Sequence, residues 1–255
     1  MRRIVLKVGS AVLTQDGKLA HKRLDNLVEF IVELKQKNYE VILVSSGAVA
    51  AGYTILQLDK NDIVNKQALA SIGQPLLINT YSTEFKKYDM ICSQVLLEAS
   101  IFKDEKRLTL SKKAISNLLK LGIIPIINEN DVTAVDELVF GDNDQLAAYI
   151  THYFDAELLI ILTDIDGFYD KNPHQYNDAT LYKNISKIEK RWLKEETTAN
   201  SMFATGGIVT KIKAADFLIK NNNLMFLTSG FDLTYAKEYL LNNNHIKGTL
   251  FQNEK

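Results

Sequence analysis

The sequence predicts an α/β protein, a three-layer α/β/α sandwich around a mainly parallel central sheet. Three observations carry that expectation. First, Arg3 to Val8, Val41 to Val44, Ile123 to Ile127 and Leu158 to Leu162 are aliphatic runs without polar alternation, as expected of strands covered on both faces. Second, helical periodicity fills the intervals with short connections, and strand, helix, strand in that order closes as a parallel βαβ unit. Third, 46% of the 255 residues are apolar, ample for a core, and only three prolines with no Pro/Gly/Ser-rich spacer give no linker between separately folded parts.

In chain order, Arg3 to Val8 is a strand ending in Gly9-Ser10, with Lys7 one residue before its end. Leu24, Leu27, Val28, Ile31 and Leu34 repeat at helical spacing. Val41 to Val44 is a strand, followed at once by Ser45-Ser46-Gly47 and a helix opened by Ala48, Ala50, Ala51 and Gly52, small enough to pack very close to a sheet. Ser71 to Phe85 reads as a helix with Pro75 in its first turn, Met90 to Leu97 as a strand, and Arg107 to Leu121 as a helix closed by Gly122. Ile123 to Ile127 leads to Asn128-Glu129-Asn130-Asp131, a hairpin over Val132 to Phe140, and a helix from Gln145 to Phe154. Leu158 to Leu162 then ends in Thr163-Asp164. Tyr176 to Ile185 reads as loop, Ile188 to Glu196 as a short helix and Thr197 to Gly207 as loop. Ile208 to Lys220 is a helix, Leu224 to Leu227 a strand and Asp232 to Leu241 the last helix, with the Asn runs at 221–223 and 242–244 as turns after helices.

Composition excludes several function classes. Thirty basic and thirty-one acidic side chains give a net charge of −1, which offers no electrostatic footprint for nucleic acid or an anionic membrane. Val41 to Leu58 is the longest uncharged segment, but its serines and glycines suit a strand, turn and helix rather than a bilayer span. The basic N-terminus is interrupted by Lys7, Gly9 and Ser10 and does not read as a signal peptide. The single Cys92, in an apolar run, reads as an inert core thiol, and the four histidines are scattered without ligand spacing. A cytoplasmic protein with small-molecule or self partners is expected.

In a parallel α/β sheet, ligands sit beyond the C-terminal strand ends. Lys7 to Ser10, Ser45 to Gly47, Asn128 to Asp131 and Thr163-Asp164 all fall on that edge. The stretch from Ile127 to Asp144 adds six acids, Glu129, Asp131, Asp136, Glu137, Asp142 and Asp144. Thr205-Gly206-Gly207 runs into a helix with Lys211 in its first turn. Glycine turns, hydroxyls and lysines are what a polyphosphate needs: close backbone approach, donors and positive charge. Each element alone has an ordinary alternative: a solvated lysine, a Gly-Gly turn, a Thr-Asp or Ser cap. Their coincidence at one edge is the signal. The chain contains neither a Walker-type phosphate loop nor a dinucleotide-binding G-x-G-x-x-G after the first strand.

Seven blocks, KVGSAVLT (7–14), VSSGAVAAG (44–52), KQALASIGQ (66–74), PIINEND (125–131), FGDND (140–144), LLIILTDIDGFYDKNP (158–173) and ATGGIVTKIKAAD (204–216), stand in the family order and resemble those of the glutamate 5-kinase branch of the amino-acid kinase family. The resemblance implies ATP-dependent phosphorylation of the side-chain carboxylate of L-glutamate, the first step toward proline, with Mg2+ carried by ATP and no metal ligand firmly assigned to the protein. It implies that Lys7 and Lys211 flank the transferring phosphoryl group and that Asp144 holds those lysines. Ser46, Gly47, Asp131 and Asn143 match glutamate-binding positions, and Gly9, Ser10, Thr163, Asp164, Thr205, Gly206 and Gly207, with both lysines, the nucleotide site. Glu129, Asp136 and Glu137 receive no role and read as solvated.

The resemblance further implies one amino-acid kinase domain over 1–255, its N-terminal part mainly the glutamate site and its part from about residue 155 mainly the ATP site, in a homo-oligomer, dimer or tetramer. Many family members carry a C-terminal PUA domain, and the chain to Lys255 is expected to lack it. Other amino-acid kinases, acting on acetylglutamate, carbamate or a nucleoside monophosphate, and a non-catalytic ligand-binding regulator on the same fold are the alternatives.

Overall fold

The computed structural model describes residues 2–133, 143–173, 175–193 and 207–254. Its strands are β1 (Arg2–Val8), β2 (Thr14–Gln15), β3 (Lys18–Leu19), β4 (Tyr39–Ser45), β5 (Cys92–Leu97), β6 (Ile124–Glu129), β7 (Leu158–Thr163), β8 (Asn184–Ile185), β9 (Leu224–Ser229) and β10 (Thr249–Phe251). The α-helices are α1 (Ser10–Leu13), α2 (His21–Gln36), α3 (Ala48–Tyr53), α4 (Ile63–Lys86), α5 (Glu105–Lys120), α6 (Asn143–Tyr153), α7 (Ile208–Lys220) and α8 (Thr234–Leu241).

Eight strands form one sheet in the order β5-β6-β4-β1-β7-β9-β10-β8. The first six run parallel, β10 is antiparallel to β9, and β8 is parallel to β10. The predicted mainly parallel α/β/α architecture is therefore present. Strand alternation divides the core into two layers. Ile4, Leu6 and Val8 of β1 pack with Leu27, Ile31, Leu77 and Tyr81 of α2 and α4. Val5 points the other way, into the layer of Leu146, Ile150, Ile212 and Ala215 from α6 and α7. The central strands β1, β4, β6 and β7 are thus buried on both faces, which is why they read as unbroken aliphatic runs.

Pro125 sits inside β6 without breaking the sheet. The Ile124 N–H donates to the Ile91 carbonyl on the β5 side, so the donor that Pro125 lacks would face β4, where pairing begins only at Ile126. The asparagine turns behave as expected, with Asn222 and Asn243 left-handed after α7 and α8, and Gly122 is left-handed after α5.

Several expectations need correction. The helix expected over Ser71 to Phe85 begins eight residues earlier, at Ile63, because Asp62 caps it by accepting from the Asn65 N–H at 2.9 Å. Pro75 consequently lies mid-helix, not in the first turn. The helix stays intact around it because α3 and α4 are pressed together there: a methyl group on Gly73 would lie 1.7 Å from the Ala48 carbonyl oxygen, and one on Gly52 1.9 Å from that of Leu69. The helix expected over Ile188 to Glu196 is a single 3-10 turn, Lys190–Leu193, as far as the described residues extend. The Tyr176 to Ile185 stretch is loop, except that Leu181 bridges Tyr169 and its end forms β8.

The short hairpin of β2 and β3 escaped the periodicity analysis although Asp16-Gly17, both at positive φ, is the residue pair that two-residue hairpin turns favour. The three residues of β10 are too few to show a period. Cys92 is only half-buried on the edge strand β5, not a core thiol, and its thiol pKa is pushed up by that burial. The hairpin expected after Val132 and the loop before Gly207 lie outside the described residues.

Candidate active site

Parallel strands deliver their C-terminal ends to one side, and β1, β4, β6 and β7 place there Lys7, Ser45, Glu129 and Thr163. Lys7 shares with Val5 the face of β1 turned toward α6 and α7. Asp144, in the first turn of α6, receives it: Lys7 Nζ lies 2.5 Å from Asp144 Oδ1. The other carboxylate oxygen, Oδ2, is 3.1 Å from Lys211 Nζ in the first turn of α7. One carboxylate thus holds two ammonium groups, one on each oxygen. All three residues are buried, with Asp144 at 0%, Lys7 at 1% and Lys211 at 6% exposure.

The surroundings fix this triad further. Thr210 Oγ1 donates to Asp144 Oδ2 at 2.9 Å, and Lys211 Nζ also donates to the Gly207 carbonyl at 3.1 Å. A methyl group on Gly207 would come within 3.0 Å of Lys211 Nζ, so glycine gives that ammonium its room. Gln145 Nε2 donates to the Thr210 carbonyl at 2.9 Å, tying α6 to α7 beside the charges. Among these three side chains the formal charge is +1. A buried cluster with net positive formal charge is suited to an anionic ligand.

Beside the triad opens a cavity of about 410 Å³ lined by Ser10, Ser46, Gly47, Asn128, Glu129, Asp131 and Asn143, with Lys60 and Lys66 at its rim. Its floor is a chain of amides. Asn143 Nδ2 donates to Ser46 Oγ at 3.0 Å and to Asn128 Oδ1 at 2.8 Å, and Asn128 Nδ2 donates to Gln74 Oε1 at 2.9 Å. Gly47 is left-handed at φ 108°, the conformation that turns the chain from β4 into α3 over this floor. Asp131 has its pKa raised by burial, a shift opposed by the charge of Lys66. An anionic carboxylate held away from water in a cavity wall is suited to receive a cationic group.

The structure therefore brings Lys7, Asp144 and Lys211 into contact, with Gly207 against Lys211, and gathers Ser46, Gly47, Asp131 and Asn143 around one cavity. Gly9 docks on the end of β7, its N–H donating to the Leu162 carbonyl at 3.1 Å. Thr163 is buried there and its hydroxyl donates to the exposed Asp164 carboxylate at 2.9 Å. Thr205 and Gly206, with Asp136, Glu137 and Asp142, lie outside the described residues. Glu129, expected to be solvated, is instead buried at 9% exposure as the last residue of β6.

Sequence reasoning placed Asn128 on the ligand edge without a role, and missed Gln74 and Thr210 as site residues. Gln74 left a signal: it falls on the helical stripe of Ala70, Leu77 and Tyr81, a polar residue on an otherwise apolar face.

The amino acid kinase family model matches residues 2–227. A glutamate 5-kinase of Wolinella succinogenes is 51% identical, the alignment covering 98% of each chain. One of Leishmania donovani is 49% identical over 98% of this chain and 95% of that one. Among solved structures, carbamate kinase from Giardia lamblia bound to AMP-PNP superposes with a TM-score of 0.70 at 17% identity, covering 99% of both chains. Isopentenyl phosphate kinase of T. acidophilum follows with a TM-score of 0.65 at 14% identity, covering 97% of this chain and 98% of that one. At such identities the structural likeness establishes the fold, whereas the sequence relatives establish the family.

Asp144→Asn removes the charge that two buried lysines share, and is expected to destabilise the protein by about 3–5 kcal/mol, the cost typical of orphaning a buried charge. Urea unfolding of the two proteins at neutral pH measures this, and an unchanged midpoint would show that the lysines do not depend on Asp144.

Proposed function

This chain belongs to the amino acid kinase family and, within it, to the glutamate 5-kinases, and from that premise we propose how its site performs the reaction. The enzyme transfers the γ-phosphoryl group of ATP to the side-chain carboxylate of L-glutamate, giving L-glutamyl 5-phosphate, the first step of proline biosynthesis.

The observation that carries the mechanism is the Lys7–Asp144–Lys211 triad. A glutamate side chain has a reference pKa of about 4.3, so at neutral pH its carboxylate is already the nucleophile and no general base is needed. One of its oxygens forms a bond to the γ-phosphorus as the bond to the bridging oxygen of ADP breaks. The barrier lies in bringing two anions together and holding them in line. Lys7 and Lys211, spread by the two oxygens of Asp144, offer fixed positive charge on either side of the transferring group, where negative charge redistributes in the transition state. Because Asp144 preorganises them, little reorientation is required at the moment of reaction.

Glutamate occupies the cavity beside the triad. Asp131 receives its ammonium group, relieving the desolvation that raises the Asp131 pKa, while Ser46, Gly47 and Asn143 hold the rest of its backbone end. ATP lies over the ends of β1 and β7, on Gly9, Ser10, Thr163 and Asp164, and we assign Thr205, Gly206, Gly207 and Lys211 to its phosphates. Mg2+ enters with the nucleotide. When bound it neutralises phosphate charge; the chain's own part is the lysine pair. On the same reading the N-terminal part is mainly the glutamate site and the part from about residue 155 mainly the ATP site. We place the enzyme in the cytoplasm as a homo-oligomer, dimer or tetramer. No helix among the described residues is long and apolar enough to cross a membrane.

Incubation with ATP, Mg2+ and glutamate, acetylglutamate or carbamate in turn, with hydroxylamine to trap acyl phosphate, should give hydroxamate from glutamate; product from acetylglutamate alone would overturn the assignment. Lys211→Ala should lower kcat at least about a hundredfold with the fold retained, as removal of one preorganised transition-state donor does; near-normal turnover would exclude Lys211 from the mechanism. Asp131→Asn should raise the glutamate KM with a smaller effect on kcat. Its ligand-free unfolding midpoint should also rise at neutral pH. The sign follows from the raised pKa: the folded state disfavours the ionised form, so stability is lost as pH rises through the Asp131 pKa, and the neutral amide removes that penalty. An unchanged KM would take Asp131 out of the ammonium site.

A further inference from the structure

We propose that Gln74, which lies outside the cavity beside the triad, is a positioning residue that holds Asn128, and through it the amide chain of the glutamate site, in the donor and acceptor polarity fixed by the backbone; the inference rests on the reading of that cavity given above. An amide side chain presents a donor at one end and an acceptor at the other, and a chain of amides has a direction only if something fixes one member. Here the backbone does so. The Glu129 N–H, a group that can only donate, points at Asn128 Oδ1 at 3.0 Å. That oxygen must therefore be the acceptor end, which leaves Asn128 Nδ2 facing Gln74 and requires an acceptor there. Gln74 Oε1 supplies it at 2.9 Å.

The polarity then propagates toward the substrate. Asn143 must turn its Nδ2 to Asn128 Oδ1, and the same nitrogen donates to Ser46 Oγ. Two consequences reach the cavity, which both Asn143 and Ser46 line. The Asn143 Oδ1 is left as an acceptor uncommitted to Asn128 or Ser46, suited to an ammonium group. The Ser46 oxygen is already accepting, so its hydroxyl hydrogen is free to donate to a carboxylate. An α-amino acid carries one group of each kind.

Gln74 is itself anchored for this task. It is 7% exposed, on the buried face of α4, and its Nε2 is buried without a hydrogen-bond partner among the described residues. Retaining a glutamine whose amide nitrogen gains nothing in the ligand-free protein makes sense if the oxygen is the atom in use. Beside it lies a second cavity, of about 260 Å³, lined also by Ser71, Pro75, Gln94, Leu96 and Glu129, so the residue can be changed without a backbone clash on that side.

The test compares Gln74→Met, which keeps the shape and loses the acceptor, with Gln74→Glu, which keeps an acceptor and forfeits no existing hydrogen bond. Kinetics are measured with L-glutamate and with glutarate, the dicarboxylate lacking the ammonium group. In Gln74→Met the glutamate KM should rise about tenfold, the order expected when a buried donor loses its partner. Its preference for glutamate over glutarate should fall by a similar factor, while the KM for ATP stays within about twofold. A merely structural role would weaken both acceptors alike. Gln74→Glu should keep the glutamate-to-glutarate preference within about twofold of the parent. Unchanged preference in Gln74→Met would overturn the proposal, and so would loss of preference in Gln74→Glu, even if the methionine protein failed to fold. A parent protein that did not phosphorylate glutamate would instead refute the functional assignment itself.

Discussion

One buried carboxylate organises this molecule. Asp144 sits at the first turn of α6, fully enclosed, with Lys7 from the central strand β1 on one oxygen and Lys211 from the first turn of α7 on the other. Taking three charged groups out of water is unfavourable unless each is paired in good geometry. The geometry is supplied by the most rigid parts of the fold. β1 is flanked by β4 and β7 in mid-sheet, α6 and α7 pack on the same sheet face, and Gln145 ties the two helices together beside the site. The three side chains together carry a formal charge of +1, which favours an anionic phosphate beside them.

Substrate recognition follows a different physical logic a few ångströms away. Around the cavity Asn128, Asn143 and the Ser46 hydroxyl form one hydrogen-bonded chain, with Asp131 as a poorly solvated carboxylate and Lys60 and Lys66 at the rim. A ligand carrying both an ammonium and a carboxylate needs a donor and an acceptor at fixed places, and a hydrogen-bonded amide chain provides this without placing further cations against the lysines. On the proposed function, charge is used where charge moves in the reaction, and dipoles where the substrate must be told from its analogues. The two regions meet at consecutive residues: Asn143 belongs to the amide chain and Asp144 to the lysine pair.

Packing between α3 and α4 connects the fold to this second region. Gly52 and Gly73 bring the two helices to backbone contact, and that closeness sets the height of Gln74, the residue after Gly73, above the end of β6. It also explains why α4 runs through Pro75: the close contact with α3 just before it and the burial of Leu77 and Tyr81 just after it outweigh one missing backbone donor. Neither effect belongs to α4 alone.

The sequence by itself determined the sheet and its edge. Aliphatic runs without alternation, short connections and glycine-rich strand ends are local properties, and they were enough to place Lys7, Ser46 and Asp131 at one side of a parallel sheet. The ordered motif blocks did the same for Asn143, Asp144 and Lys211. What only the tertiary structure decided is which of these groups touch. Lys7 and Lys211 share a carboxylate because strand alternation turns Lys7 toward α6 and α7, and two helix starts distant in the chain are packed side by side. Gln74 was invisible as a site residue, and Asn128, though on the ligand edge, had no role, for the same reason: a buried amide has no role until its partner is known, and the partner comes from another element. Glu129 looked like one more solvated acid in a run of acids, and only its place as the last buried residue of β6, between two cavities, removes it from solvent.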